Sequence, residues 1–465
     1  MTASASPTLS ARTRRLLEAP ILGTLLRLAA PNVGEAAARI AFIAGDAVFV
    51  GWLGTDALAG VSLVFPIFLI MQMTSASGLG AGVSSAVARA LGAGRRDEAD
   101  VRAAHAVMLA AAAALLFAAS MLLDGPRLYA ALGACGGTLD AALTYSSLAF
   151  GGGALVVWLM NTLANVVRGT GTMAVPASAI VVGELVHLAV SPTLILGLGP
   201  FPRLGVAGAA LAVIASYGSG ALILLAYLVS GRGLVRLTWR AFRPRVEAFR
   251  AILGVGALAA LNVLQWQIAA FAVTAAVAGF GAATLAGYGA AIRLELLMYP
   301  LSFALGSATI AMVATNVGAG ARPRARRIAG TAVALSTALG AVFALIALML
   351  PLPWMRLFTH DPTVAAAGVL YLRILGVTYP VLGLAFGLVF ALQGAGIVLW
   401  PMVAGAVRLA VVIGAAWLVV HRGLTPGALY GALAEAVLVF ALGMLAAGRS
   451  LLPRRRARAI ADAPA

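Results

Sequence analysis

Four polar residues lie along the first strongly apolar segment of this 465-residue chain: Asn32, Glu35, Arg39 and Asp46. At about 100° per residue, a helix places all four within roughly 60° of one another, so one face is polar and the remainder is apolar. Charged groups at membrane depth persist where they face water or a protein partner rather than lipid. This polar face, called the stripe below, therefore predicts a polar pathway or an internal contact surface.

The charges on this stripe each have two interpretations. Glu35 and Arg39 are four residues apart with the acid first, the favourable order for an ion pair within a helix. A structural pair and a substrate contact both fit that spacing. Asp46 has no basic residue within one turn, which favours exchange of a proton or cation. The alternative for Asp46 is a solvated position at the far membrane interface, because it lies roughly 28 Å along the helix from Arg27.

Composition identifies the class of protein. Hydrophobic residues make up 62% of the chain and charged residues only 10%. A soluble fold of this length could not bury the apolar surface of so many hydrophobic residues, so the chain is expected to lie in a membrane. All 32 basic residues are arginine, and the net charge is +17. Because most arginines lie in short connections between apolar segments, they indicate membrane topology rather than nucleic-acid binding. The single cysteine, Cys135, excludes an intrachain disulfide.

Twelve apolar segments are long enough to cross a membrane, each near the 20 residues that a helical span needs. The predicted spans are residues 25–50, 57–82, 103–123, 140–165, 174–197, 206–230, 250–277, 283–316, 328–350, 364–391, 398–420 and 427–447. The first span is expected to serve as its own insertion signal, because no short apolar core with a cleavage site precedes it.

Arginine is distributed unequally between the two sets of connections. One set holds most of it, and the other holds only Arg127, Arg203, Arg356 and Arg422. By the positive-inside rule, the arginine-rich set faces the cytoplasm, and with it both chain termini. Two cytoplasmic termini require an even number of spans, in agreement with twelve. We therefore expect a multi-pass protein of the cytoplasmic (inner) membrane.

An internal repeat emerges when the chain is displaced on itself by about 226 residues. Motifs that begin at Gly54, Leu91 and Arg168 match, in the same order, motifs that begin at Gly281, Val317 and Gln393. The offset predicts two parallel six-helix lobes, related by an axis along the membrane normal, with a cavity between them. The predicted divisions are a first lobe at 1–230, a basic cytoplasmic linker at 231–249, a second lobe at 250–448 and a basic cytoplasmic tail at 449–465.

Several stretches of the sequence resemble the multidrug and toxic compound extrusion (MATE) transporters, in particular their bacterial DinF-like branch. These stretches are 46–54 with 57–59, 92–94, 168–171, 191–197 and 205–212. Their order and spacing extend over nearly the whole chain. The resemblance implies an all-α integral membrane exporter of twelve transmembrane helices in two lobes, driven by a proton or sodium gradient.

Within this resemblance, Asp46 corresponds to the first-helix aspartate of the family, which implies a role in ion coupling. The fifth helix departs from the family pattern, because His187 and Ser191 stand where Asn and Asp are common. Glu184 offers a replacement, since it shares a helix face with His187 three residues later. The predicted cation-coupling residues are therefore Asp46, Glu184, His187 and Ser191. The alternative for His187 is a hydrogen-bonded core residue.

Polar residues of both lobes are expected to line the substrate cavity. They are Asn32, Glu35, Arg39, Asn161, Asn165, Asn262, Gln265 and Glu295. Asn161 and Asn165 lie four residues apart on the fourth span, and their alternative role is structural hydrogen bonding between helices. We also expect Glu295 to accept a hydrogen bond from Tyr299, one turn later.

The second lobe is expected to differ chemically from the first. Ala272 stands at the position that matches Asp46, and neither the seventh nor the tenth span contains an acid. Since some members of the family place sodium-binding acids on those two helices, the sequence favours protons over sodium. Arg408 and Glu435, at similar estimated depth in the last two spans, are predicted to form a structural ion pair.

Together these features predict a secondary active efflux transporter for drugs or metabolites, which exchanges organic cationic or amphipathic compounds for a cation, the proton, by alternating access. The expected partners are a small-molecule substrate and the lipid bilayer, without nucleic acid, and the chain is expected to act as a monomer. No catalytic residue, metal site or cofactor is predicted beyond H⁺ or Na⁺ as the coupling ion. One alternative is a flippase for lipid-linked oligosaccharides or other lipids. The other is an integral-membrane enzyme, against which the lack of HExxH or paired-histidine motifs counts.

Overall fold

A computed structural model of the chain describes residues 9–449, with the exception of the side chains of residues 40–48. The described chain is almost entirely helical and contains no β-strand. The α-helices are α1 (Ala11–Glu18), α2 (Ile21–Gly51), α3 (Thr55–Met73), α4 (Gly80–Gly92), α5 (Arg96–Ala131), α6 (Gly136–Gly151), α7 (Gly153–Gly169), α8 (Ala174–Leu196), α9 (Val206–Val229), α10 (Val246–Ala278), α11 (Ala282–Gly318), α12 (Arg322–Met349), α13 (Pro351–Arg356), α14 (Pro362–Gly376), α15 (Tyr379–Ala395), α16 (Leu399–Arg422) and α17 (Pro426–Gly448).

The apolar helices account for the predicted membrane spans. In the described part of the chain, nine continuous helical segments are long and apolar enough to cross a membrane, and two bent helix pairs make two more spans. Helix α2, part of whose side chains is not described, occupies the predicted first span. With α2 included, the nine continuous segments and the two bent pairs match the twelve predicted spans one to one. The chain is an all-α integral membrane protein.

The predicted continuous spans are interrupted in three places. Residues 140–165 form the pair α6–α7, bent by 46° beside three consecutive glycines, 151–153, which leave the backbone unusually free. Residues 364–391 form the pair α14–α15, bent by 53° just before Pro380, whose ring nitrogen cannot donate a helical hydrogen bond. A π-helical segment, Thr74–Leu79, interrupts the second span between α3 and α4.

Side-chain caps fix the starts of three helices, and before α1 the Ser10 hydroxyl accepts from the Thr13 N–H at 3.1 Å. The Asp361 carboxylate, before α14, accepts hydrogen bonds from the Thr363 hydroxyl and from the backbone N–H groups of Thr363 and Val364. These bonds, the one from the Thr363 hydroxyl foremost, keep the pKa of the Asp361 carboxyl below its usual value. At the start of α17, the Thr425 hydroxyl accepts from the Ala428 N–H at 3.3 Å. Each cap satisfies a backbone donor that the helix itself leaves unpaired.

The described residues form two compact units. The first contains the described residues through Val263 together with Ala314–Gly320, and the second contains Leu264–Val313 with the described residues from Ala321 onward. The basic segment after α9 is held within the first unit by backbone hydrogen bonds. The Arg236 N–H donates to Asp100 Oδ1 at 2.8 Å, and the Arg245 N–H donates to His105 Nε2 at 2.7 Å.

The backbone confirms the internal repeat. Three pairs of matched glycines have nearly equal positive φ angles: 101° and 100° at Gly54 and Gly281, 74° at both Gly94 and Gly320, and 76° and 81° at Gly171 and Gly396. Residues with a Cβ rarely adopt these angles. The same turns therefore recur at the matched positions, as the sequence motifs predict.

A reciprocal glycine contact joins the ends of α4 and α11 within the first unit. A Cβ added at Gly92 would lie 2.0 Å from the carbonyl oxygen of Thr315, and one added at Gly318 would lie 2.1 Å from the carbonyl oxygen of Arg89. Gly92 and Gly318 are also matched positions of the repeat. Each helix end therefore requires a glycine so that its backbone can approach the other helix.

We expect Gly92→Ala and Gly318→Ala each to lower the stability of the purified protein by about 1–3 kcal/mol, because the added methyl group forces the helix ends apart. The melting temperature in detergent measures the effect. Gly330→Ala is the matched control: Gly330 lies inside α12 with nothing within 4 Å of its added Cβ, so alanine there should be neutral or stabilising. Equal melting temperatures for all three variants would contradict the reciprocal contact.

Candidate functional site

Charged side chains from several helices meet inside the first unit. Helix α2 contributes Glu35 and Arg39, α7 contributes Arg168, and α8 contributes Glu184. Glu35, Arg168 and Glu184 are buried, with residue exposures of 5%, 1% and 5%. Pro31 lies one turn before Glu35 within α2, and because it has no N–H it leaves one carbonyl of the preceding turn without its helical donor.

Glu35 lies between two guanidinium groups. Its Oε2 accepts a hydrogen bond from Nη2 of Arg168 at 2.6 Å, and its Oε1 accepts from Nη2 of Arg39 at 3.5 Å. A buried carboxylate needs such partners because the loss of hydration is otherwise uncompensated. These contacts support the structural alternative for the Glu35–Arg39 pair and add a second arginine from another helix.

Arg39 extends this cluster towards α8 and α9. The hydroxyl of Tyr217, on α9, lies against the Arg39 guanidinium. Glu184 acts electrostatically on the same guanidinium and on Glu35. The two acids and two arginines therefore form one largely buried cluster with balanced formal charge, which spans α2, α7 and α8 and contacts Tyr217 on α9.

The predicted coupling residues of α8 share one buried face. Glu184, His187 and Ser191 follow one another at intervals of three and four residues, and their exposures are 5%, 0% and 0%. Among the residues that the structure describes, neither Oε2 of Glu184 nor the hydroxyl of Ser191 has a hydrogen-bond partner. His187 and Glu184 also interact electrostatically. The face thus offers a buried carboxyl oxygen that is free to hold a proton or accept a ligand.

Asn161 and Asn165 hold the π-helical segment in place. Nδ2 of Asn161 donates to the Ser75 hydroxyl at 2.8 Å, and Nδ2 of Asn165 donates to the carbonyl oxygens of Ala76 and Asn161 at 3.0 and 2.9 Å. A π-helical turn leaves backbone carbonyls without their usual helical donors. These bonds support the structural alternative for both asparagines; their role in a substrate cavity stays a prediction.

Three other predicted residues lie on α2 and α10. The side chain of Asp46 is outside the described residues, although its backbone belongs to α2. Asn32 is buried at 3% exposure on the same helix as Glu35. Asn262 is likewise buried, at 9% exposure. Their roles in coupling or substrate binding stay predictions.

In the second unit, Glu295 receives hydrogen bonds from two tyrosines. The Tyr299 hydroxyl donates to Oε1 at 2.7 Å, which confirms the predicted contact, and the Tyr371 hydroxyl, on α14, donates to Oε2 at 2.9 Å. Gln265 is half-buried, and its Nε2 donates to the carbonyl oxygen of Met402 at 3.4 Å. Both predicted cavity residues therefore have protein partners within this unit.

The predicted Arg408–Glu435 ion pair is wrong. Arg408 is buried at 6% exposure, whereas Glu435 on α17 is exposed. No ion pair joins them among the described residues. Arg408 instead stacks on Trp266, with its guanidinium carbon 3.5 Å from the ring centroid. Similar depth in two helices does not bring side chains together unless the helices also turn the same faces towards each other.

Sequence reasoning missed three contacts in these clusters. Arg168 belongs to the arginine-rich set of connections and so is expected at the cytoplasmic surface, although its position three residues after Asn165 places both on one face of α7. Tyr217 and Tyr371 gave no signal, since a single tyrosine in an apolar span is usually a packing residue. In the described ranges, no group of three or more His, Cys, Asp or Glu side chains is arranged to hold a metal ion.

Comparison with known proteins gives the family. The MatE family model matches residues 41–193 and 258–418. An FAD transporter of Shewanella oneidensis is 33% identical over 378 residues, which cover 79% of this chain and 81% of the relative. A probable multidrug resistance protein NorM of Thermotoga maritima is 27% identical over 82% of this chain and 81% of its own length.

Solved structures agree on the fold. A MOP superfamily transporter from Pyrococcus furiosus, with a binding pocket described as reversed in polarity, is 25% identical and superposes with a TM-score of 0.86 over 96% of this chain and 98% of that chain. An outward-facing multidrug resistance MATE transporter, 24% identical, has a TM-score of 0.86 over the same shares. The chain therefore belongs to the MatE family, the multidrug and toxic compound extrusion transporters.

Proposed function

We propose that this chain exports organic compounds across the inner membrane by alternating access, in exchange for protons, with both termini in the cytoplasm. The observation that carries the proposal is the buried cluster of Glu35, Arg39, Arg168 and Glu184, beside which Oε2 of Glu184 has no partner among the described residues. A buried carboxyl that faces charged neighbours is a site where a proton changes the local charge balance.

The cluster suggests how proton exchange is linked to transport. With both acids ionised, their charges balance those of the two arginines. Uptake of a proton by Glu184, or by Asp46, removes one negative charge and lowers the attraction for a cationic substrate, so the state that releases substrate outward is favoured. Loss of the proton on the cytoplasmic side restores that attraction. Each proton state thereby selects one conformation.

The proposal predicts that Glu184→Gln abolishes export driven by a pH gradient, since glutamine cannot exchange a proton. We would reconstitute the protein in liposomes, load a fluorescent organic cation and impose a pH gradient or, separately, a sodium gradient. Asp46→Asn should lose the same activity. Glu435→Gln is the control, because Glu435 is exposed and outside the cluster. Full pH-driven export by both Glu184→Gln and Asp46→Asn, or export driven by sodium alone, would refute proton coupling through these acids.

Glu35 is assigned a structural role in this proposal. Arg168→Gln should therefore destabilise the protein by about 3–5 kcal/mol, because it removes a partner of a buried carboxylate. The double variant Glu35→Gln/Arg168→Gln should recover part of the loss. Arg127→Gln is the matched control: the Arg127–Asp124 pair is 3.8 Å apart with side chains 87% and 67% exposed, and such pairs contribute less than about 1 kcal/mol. If Arg168→Gln melts like Arg127→Gln, the bridge does not stabilise the fold.

A second candidate substrate is FAD or a similar anionic dinucleotide. The similarity to the FAD transporter of Shewanella oneidensis favours it, as does the buried guanidinium group of Arg408, which suits a phosphate group better than an organic cation. Since an anionic substrate is attracted by positive charge, proton uptake by Glu184 would then strengthen binding rather than weaken it, and this candidate substrate would leave together with the proton instead of in exchange for it.

In the same liposomes, FAD trapped inside should leave under a pH gradient that is acidic inside, if this candidate is right. Flavin fluorescence in the external medium measures the export. The Glu184→Gln protein and protein-free liposomes are the controls, and both should retain FAD. Export of the organic cation without any export of FAD would exclude the dinucleotide and leave the cationic class.

A further inference from the structure

One buried charge of the second unit has no role in proton coupling. Arg408, on α16, is 6% exposed, and its guanidinium carbon lies 3.5 Å from the ring centroid of Trp266 and 6.0 Å from that of Phe440. A guanidinium stacked in this way keeps its N–H groups close to its own plane, so they are directed away from the rings. The stacking offsets part of the free-energy cost of burying the charge, but it gives the N–H donors of the guanidinium no acceptor.

Two donors of Arg408 are left unsatisfied. Within the described chain, neither Nε nor Nη2 has a hydrogen-bond partner. Glu295 acts electrostatically on Arg408, but both of its oxygens already accept bonds from Tyr299 and Tyr371. Burial of a charged donor without an acceptor is costly, and such groups are usually paired. An anionic oxygen from outside the chain would satisfy both donors.

Aromatic rings beside Arg408 form a partly exposed apolar cluster. Trp266, Tyr299 and Phe386 are each half-buried and pack on one another with centroid distances of 5.5–6.2 Å. Offset or edge-on packing of this kind leaves ring faces and edges for a further planar ring. A ligand with an anionic group next to a planar ring therefore matches both features at once.

We propose that Arg408 and the aromatic cluster of Trp266, Tyr299 and Phe386 bind the phosphate or carboxylate group and the adjoining planar ring of an anionic substrate. This inference depends on the second candidate substrate class of the proposed function. Arg408 supplies two N–H donors to the anionic oxygens, and the rings pack against the planar part. The site thereby selects anionic compounds over neutral compounds of the same shape.

FMN and riboflavin provide the test, because they share one ring system and differ only by a phosphate. We would measure the affinity of each for the purified protein in phosphatidylcholine nanodiscs by quenching of flavin fluorescence. Wild type should bind FMN more tightly than riboflavin. Arg408→Gln should weaken FMN binding by about 10- to 100-fold, because the loss of charge-assisted hydrogen bonds typically lowers affinity by that factor. The same variant should leave riboflavin binding unchanged. Arg408→Lys should weaken FMN binding less, since it keeps the charge and loses the paired donors.

Arg293→Gln is the matched control. Arg293 also stacks on an aromatic ring of the second unit, 4.9 Å from Phe358, but it is exposed, so the variant should bind FMN like wild type. Equal affinity of wild type for FMN and riboflavin, or equal weakening of both by Arg408→Gln, would overturn the proposal. Loss of FMN binding when phosphatidylglycerol replaces part of the phosphatidylcholine would instead assign the site to a lipid phosphate. Because the assay needs no gradient, failure of proton coupling leaves its outcome unaffected.

Discussion

The carboxylate of Glu35, placed between two guanidinium groups, limits how the helices of the first unit can pack. Its oxygens are bonded by Arg168 and Arg39, and Arg39 in turn lies against Tyr217. Three helices, α2, α7 and α9, are thereby tied at one buried point. Inside a membrane these groups have no water to replace a lost partner. The two bridges of Glu35 therefore tie these helices together, and Glu184, which has no ion pair among the described residues, is the member of the cluster that can change its charge without breaking that tie.

The two halves of the repeat share a backbone and differ in chemistry. Matched turns have the same conformation, yet Gln393 stands where the first half has Arg168. In place of the carboxylate–arginine bridge, the second unit has Glu295 bonded by two tyrosines and Arg408 stacked on Trp266. These two charges are thus held by hydroxyls and aromatic rings, without a direct ion pair among the described residues. One scaffold supports two kinds of buried charge.

Hydropathy and spacing predicted the features that depend on local sequence, the spans and the repeat, and gave an ion pair of Glu35 with Arg39 as one of two interpretations. The bend beside the three glycines at 151–153 also had a signal in the sequence. Contacts between helices were not predictable in this way. The bridge from Arg168 and the stacking of Arg408 on Trp266 depend on how each helix is rotated about its axis, and a single sequence does not specify that rotation. The π-helical segment likewise depends on the amides of Asn161 and Asn165, which lie nearly ninety residues further along the chain.

The contact between Gly92 and Gly318 limits sequence change at two distant positions together. Each glycine lies against the backbone at the end of the other helix, Gly92 against Thr315 and Gly318 against Arg89. Because the approach is shared, a side chain at either position pushes away both helix ends. The two positions are therefore restricted to glycine as a pair, although they lie 226 positions apart in the sequence.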